Sequence, residues 1–90
     1  MSTPAVFDLA FEMTQQRIRT APGIDIYVLI EEQLDFVRGF GAVGAEPTEA
    51  DRARVTIGAI AARNFEEVDP AYARVLYTVS ALFRGGEGTR

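Results

Sequence analysis

No cysteine, histidine, lysine or tryptophan occurs among the 90 residues of this chain. Without cysteine, neither a disulfide nor a thiolate metal site can hold a small domain together. Without histidine, the commonest general base, the commonest metal ligand and the usual pH switch near neutrality are lost together. All nine cationic side chains are arginine, as GC-rich bacterial codon usage favours, and 13 acidic residues leave a net charge of −4. Nucleic acid is a poor partner for such a chain, since domains that bind it carry a basic face. An acidic balance fits a basic protein partner or simple solubility. No apolar run approaches the ~20 residues of a membrane span. The N-terminus lacks a basic segment and contains Asp8 and Glu12, so no signal peptide is expected. The expectation is one cytoplasmic domain over residues 1–84, with no membrane contact, metal or cofactor, and a disordered tail over 85–90.

What is present is helical periodicity. Thr3-Pro4 opens a first helix that runs to about Ala21. Val6, Leu9 and Met13 form one stripe on it, and Phe7, Phe11 and Ile18 a second. Pro22-Gly23 ends it. A second helix covers Asp25–Phe40, with Ile26, Ile30, Leu34 and Val37 at helical spacing and Leu29, Phe36 and Phe40 widening that face. Residues 39–47 read as a flexible connection. Thr48 and Asp51 then form a capping box for a third helix with a core stripe of Ala53, Ile57, Ile60, Ala61, Phe65 and Val68. Asp69-Pro70 caps and starts a fourth helix that reaches about Arg84. Ala73, Leu76, Ser80 and Phe83 face one way on it, with Val75, Val79 and Leu82 beside them. Long helices joined by short loops predict an all-α fold, a compact antiparallel bundle of about four helices.

Gly39-Phe40-Gly41-Ala42-Val43-Gly44 matches G-x-G-x-x-G letter for letter. A dinucleotide fingerprint needs a strand before it, whereas a helix precedes this one, so it reads as a glycine-rich helix end and linker. Gly58, inside the third helix, costs about 1 kcal/mol relative to alanine. With Ala59, Ala61 and Ala62 it marks a close approach of a neighbouring helix, or else a groove for a partner's side chain.

Two acidic groups stand out. Glu31, Glu32 and Asp35 share the polar side of the second helix, where Glu31 and Asp35 repel one turn apart and Arg38 offers partial compensation. Glu66 and Glu67 fall at the C-terminus of the third helix, against its dipole. Either the nearby start of the fourth helix offsets them, or they are kept for a basic partner. Among the tyrosines, Tyr77 reads as core. Tyr27 and Tyr72 are candidate interface aromatics, and Tyr72 is the better placed, close to Glu66 and Glu67. No nucleophile, base and orienting group assemble, so an enzyme is not expected.

Three pieces of the chain resemble a known family. Pro22-Gly23 precedes an apolar stretch leading into Glu32-Gln33-Leu34 and Phe36-Val37-Arg38. Val55-Thr56-Ile57-Gly58 continues through Ile60-Ala61 to Phe65, and Asp69-Pro70 opens the last helix. In this order and spacing, over roughly Pro22–Leu76, the chain resembles the small helical immunity proteins that neutralise NAD(P)+ glycohydrolase effectors of bacterial type VI secretion. The resemblance implies a protein that binds a cognate toxin and occludes its active site. The contact candidates are then Glu31, Glu32, Asp35, Glu66, Glu67 and Tyr72. Immunity to another toxin class, such as an ADP-ribosyltransferase, and a helical homodimerising adaptor remain alternatives. The wide apolar arcs of the first two helices leave a homodimer of the free protein open.

Overall fold

The computed structural model describes residues 3–43 and 46–83. Every regular element among them is helical: α1 (Thr3–Thr20), α2 (Asp25–Val43), α3 (Glu49–Arg54), α4 (Ile57–Asn64) and α5 (Pro70–Phe83). Contacts between side chains fix the topology. Gln15 reaches Glu31 and Asp8 reaches Arg38, so α1 and α2 run antiparallel. Thr14 meets Tyr72 and Arg17 meets Asp69, so α1 and α5 do too. Gln33 meets Thr56 while Tyr27 stacks on Phe65, which opposes α2 and α4. Gly58 faces Ser80 while Phe65 meets Tyr72, which opposes α4 and α5. The result is an up-down-up-down arrangement of α1, α2, α4 and α5.

The core follows the predicted stripes closely. Ile30, Leu34 and Val37 of α2, Ile57 and Ala61 of α4, and Ala73, Leu76, Val79 and Phe83 of α5 are buried together. Phe36 and Phe40 close the far end against Phe83, with ring centroids 5.2–6.3 Å apart. Gly23 ends α1 at φ +90°, a left-handed conformation that favours glycine.

Four expectations need correction. The helix expected from Thr48 onward is two helices. Its start is as read: the Thr48 side chain accepts from Asp51 N–H and the Asp51 carboxylate accepts from Thr48 N–H. Those bonds hold the Asp51 carboxyl below the ordinary carboxylate range. The helix then breaks at Val55, which is extended (φ −94°, ψ 111°) and buried. The break frees the N–H of Thr56, and α2 takes it up. Gln33 Oε1 accepts from it at 2.7 Å, and Gln33 Nε2 donates to Thr56 Oγ1 at 3.0 Å. α4 ends at Asn64, so Val68 leaves the expected core stripe and is 79% exposed. Leu29 and Ala53, also assigned to apolar faces, are exposed, as is Tyr77, read as core. Finally, α2 continues to Val43 and takes in most of the expected linker. Gly44, at the end of the glycine motif, and the tail over 85–90 lie outside the described residues.

Candidate interaction surface

One end of the bundle gathers the C-terminal turn of α1, the N-terminus of α2 and the turn over residues 65–69. A polar lock holds these together. Thr14 Oγ1 donates to the Ala10 carbonyl at 2.8 Å, so the 2.6 Å bond to Tyr72 uses the phenol's proton. Arg17 lies over the Tyr72 ring at 4.3 Å, donates to the Met13 carbonyl, and grips Asp69 through Nε (2.9 Å) and Nη2 (3.3 Å). The two-pronged pair fixes orientation as well as charge. Asp69 still opens α5 through its carbonyl, which accepts from Ala73 N–H, but its carboxylate is committed to Arg17. The Tyr27 ring stacks on Phe65 at 5.6 Å, and Phe65 meets Tyr72 edge-on at 5.1 Å.

Tyr72 therefore leaves the list of contact residues. It is 0% exposed, because Thr14 on α1, 58 positions away, supplies the partner that lets the hydroxyl be buried. Burial pushes its phenol pKa up to about 12, against the lowering effect of the Arg17 charge.

The five carboxylates divide. Glu32 and Asp35 are exposed on the outer face of α2. Glu31 is half-buried at the α1 boundary and accepts from Gln15 Nε2 at 2.7 Å. Arg38 does not serve Asp35 but pairs with Asp8 at 3.4 Å and lies over Phe11 at 4.3 Å. Glu66 and Glu67 are exposed in the turn that follows α4. Glu66 accepts from the Tyr77 hydroxyl at 2.7 Å, and that bond raises the Tyr77 pKa. Glu66 thus has a local partner on α5 and stays at the surface.

Apolar residues that the sequence reading did not assign to a surface also lie here. Ile24, Val28 and Leu29 are 45%, 41% and 45% exposed. Their sequence signal was available for Val28, which stands opposite Ile30 on the helix and so cannot share its stripe.

Among the described residues no group of three or more acidic side chains is arranged to hold a metal ion. No helix among them is long and apolar enough to cross a membrane. These features define a small all-α bundle whose exposed apolar and acidic groups meet at an internally braced end.

The chain belongs to the Tsi6 family, whose family model matches residues 2–85. It is similar to the structure of Tsi6 from Pseudomonas aeruginosa, at 25% identity over 92% of this chain and 95% of that one, with a TM-score of 0.83. It is equally similar to a chain in the structure of Tse6 in complex with Tsi6, at 26% identity over 100% of this chain and 96% of that one, with a TM-score of 0.85. No curated protein sequence matches it.

Two pieces of sequence that carried the resemblance touch in the fold. Gln33, from Glu32-Gln33-Leu34, clamps Thr56, from Val55-Thr56-Ile57-Gly58. Gly58 in turn lets α4 approach Ser80 of α5.

Proposed function

We propose that this chain is an immunity protein that binds a cognate effector toxin, an NAD(P)+ glycohydrolase, in the cytoplasm and occludes its active site. The observation that carries the reading is membership of the Tsi6 family across nearly the whole chain, joined to a close structural likeness to a chain solved in complex with Tse6. Chemistry supports it. A toxin that holds a dinucleotide needs a cationic cleft for phosphates, and exposed Glu32, Asp35, Glu66 and Glu67, with Glu31 at their edge, offer carboxylates to such a cleft. The protein acts by stoichiometric binding, with no chemistry of its own. Because one free toxin molecule turns over many substrates, protection requires a Kd near or below ~1 nM, about −12 kcal/mol.

The test is coexpression with the toxin encoded beside this protein's own gene, followed by titration of the purified toxin. Expected are rescue of growth, co-purification as a complex, and loss of NAD(P)+ hydrolysis at about one equivalent. Growth arrest that persists despite a well-expressed immunity chain refutes the function. Protection against a toxin of different chemistry keeps the immunity role and removes only the glycohydrolase.

A further inference from the structure

We infer that the partner is held chiefly by the apolar patch of Ile24, just before α2, with Val28 and Leu29 on α2, flanked by Asp25, Glu32 and Asp35, and that the facing toxin surface is an apolar patch rimmed by arginine or lysine. The inference rests on the toxin-binding reading above and says where the bound partner sits.

Helix geometry joins these residues. At about 100° per residue, Glu32 stands about 40° to one side of Val28, Asp35 about 20° to the other, and Leu29 and Asp25 lie beyond Glu32. All five are exposed, while Ile30, Leu34 and Val37 on the opposite face fill the core. Single exposed apolar residues are ordinary on a protein surface, but here two of them lie in the first turns of α2 and a third, Ile24, immediately precedes it. That end is also held still. Gly23 sets the turn before it, Tyr27 stacks on Phe65, and Arg17 ties α1 to Asp69. A braced patch loses little freedom on binding.

Charge selects the occupant. The rim of the patch carries three carboxylates, and Arg38, the cation within α2, is turned away to Asp8 and Phe11. A second copy of this chain, docked by the same face, would set carboxylates against carboxylates, which disfavours a homodimer there. A cationic rim on the partner is complementary. In such an interface the apolar centre supplies most of the affinity, while rim charges govern association rate and salt dependence. Glu66, already bonded to Tyr77, and Glu67 in the turn after α4 are then secondary.

The experiment measures binding kinetics of the full chain against the purified toxin. Val28→Ser/Leu29→Ser is expected to weaken Kd by about 100-fold, mainly through faster dissociation, with an unchanged circular dichroism spectrum. Glu32→Gln/Asp35→Asn should slow association by about tenfold and flatten its dependence on salt. Glu66→Gln/Glu67→Gln should stay within about threefold of wild type. If the double serine variant disturbs folding, Val28→Thr, which keeps the shape and exchanges one methyl for a hydroxyl, supplies the same comparison. The inference is overturned if the folded serine variant binds within about threefold of wild type, or if Glu66→Gln/Glu67→Gln has the larger effect. Wild-type protein that fails to bind at all overturns the toxin-binding reading itself, so the two failures are distinct.

Discussion

Replacing Gly58 with alanine sets two effects of opposite sign against each other. In an exposed helix interior alanine is better than glycine by about 1 kcal/mol, and at the second residue of α4 the gain is at most that. An added Cβ, however, would lie 2.9 Å from Ser80 Oγ and 3.3 Å from Ser80 Cβ. The hydroxyl can rotate away. The Cβ cannot, because the α5 backbone carries it. Carbon atoms pack comfortably at about 3.5–4.0 Å, so α4 and α5 must separate by a few tenths of an ångström. Overpacking of this kind costs about 1–3 kcal/mol. The expected net effect is a loss of about 0.5–2 kcal/mol, or several degrees in Tm for a domain of this size. A double-mutant cycle isolates the contact. Ser80→Gly removes both offending atoms, so Gly58→Ala should become stabilising in that background, with a coupling of about 1 kcal/mol or more. Urea denaturation at constant m reads each corner of the cycle. A Gly58→Ala protein more stable than wild type, or a coupling below about 0.3 kcal/mol, would falsify the argument that Gly58 is there to let α5 approach.

Two other perturbations test the braces of the bundle. The Tyr72 phenol ionises near 10 when unfolded and at about 12 when buried. The fold therefore favours the neutral form: its contribution is fully present below pH ~10 and is lost as pH rises towards ~12, a change of roughly 2–3 kcal/mol. Tyr72→Phe should flatten that part of the stability–pH curve and cost about 1 kcal/mol at neutral pH through the lost bond to Thr14; an unaltered alkaline limb counts against this assignment. Gln33→Ala removes both bonds to Thr56 across the α3–α4 break, and a loss of about 1 kcal/mol with faster hydrogen exchange at the Thr56 amide is expected. Unchanged exchange there would mean that α2 does not hold the break.

The helix order was legible because a 3.6-residue period survives in single sequences: Ile30, Leu34 and Val37 announce the core face of α2 without help from any other segment. What failed to show depended on distant partners. Val55 and Thr56 fit a continuous helix, and only Gln33, 23 positions earlier, makes a break there affordable. Tyr72 lies in the first turn of its helix, where exposure is a fair guess, but Thr14 and Arg17 on α1 enclose it. Val68 belonged to a core stripe only while its helix continued, and α4 stops at Asn64. Leu29 shows the converse difficulty. Its spacing is compatible with the core, and nothing local says that no neighbouring helix covers that side of α2.

Three of these mismatches, Leu29, Val68 and Tyr72, fall at one end of the molecule, and that grouping has a physical sense. A bundle of this size buries little apolar surface and is only marginally stable, so leaving Val28, Leu29 and Val68 in water forgoes stabilisation it could use. Burying the Tyr72 hydroxyl and ordering Arg17 against Asp69 is no cheaper route to stability, since polar groups must find partners merely to break even. Both choices become intelligible if the end must hold one shape. Apolar side chains left uncovered are then available to a partner, and the polar lock keeps the α2 N-terminus and the 65–69 turn in fixed relation before the partner arrives. Stiffness of this kind lowers the ordering cost of association. It also predicts that loosening the lock would weaken binding through residues that never touch the partner.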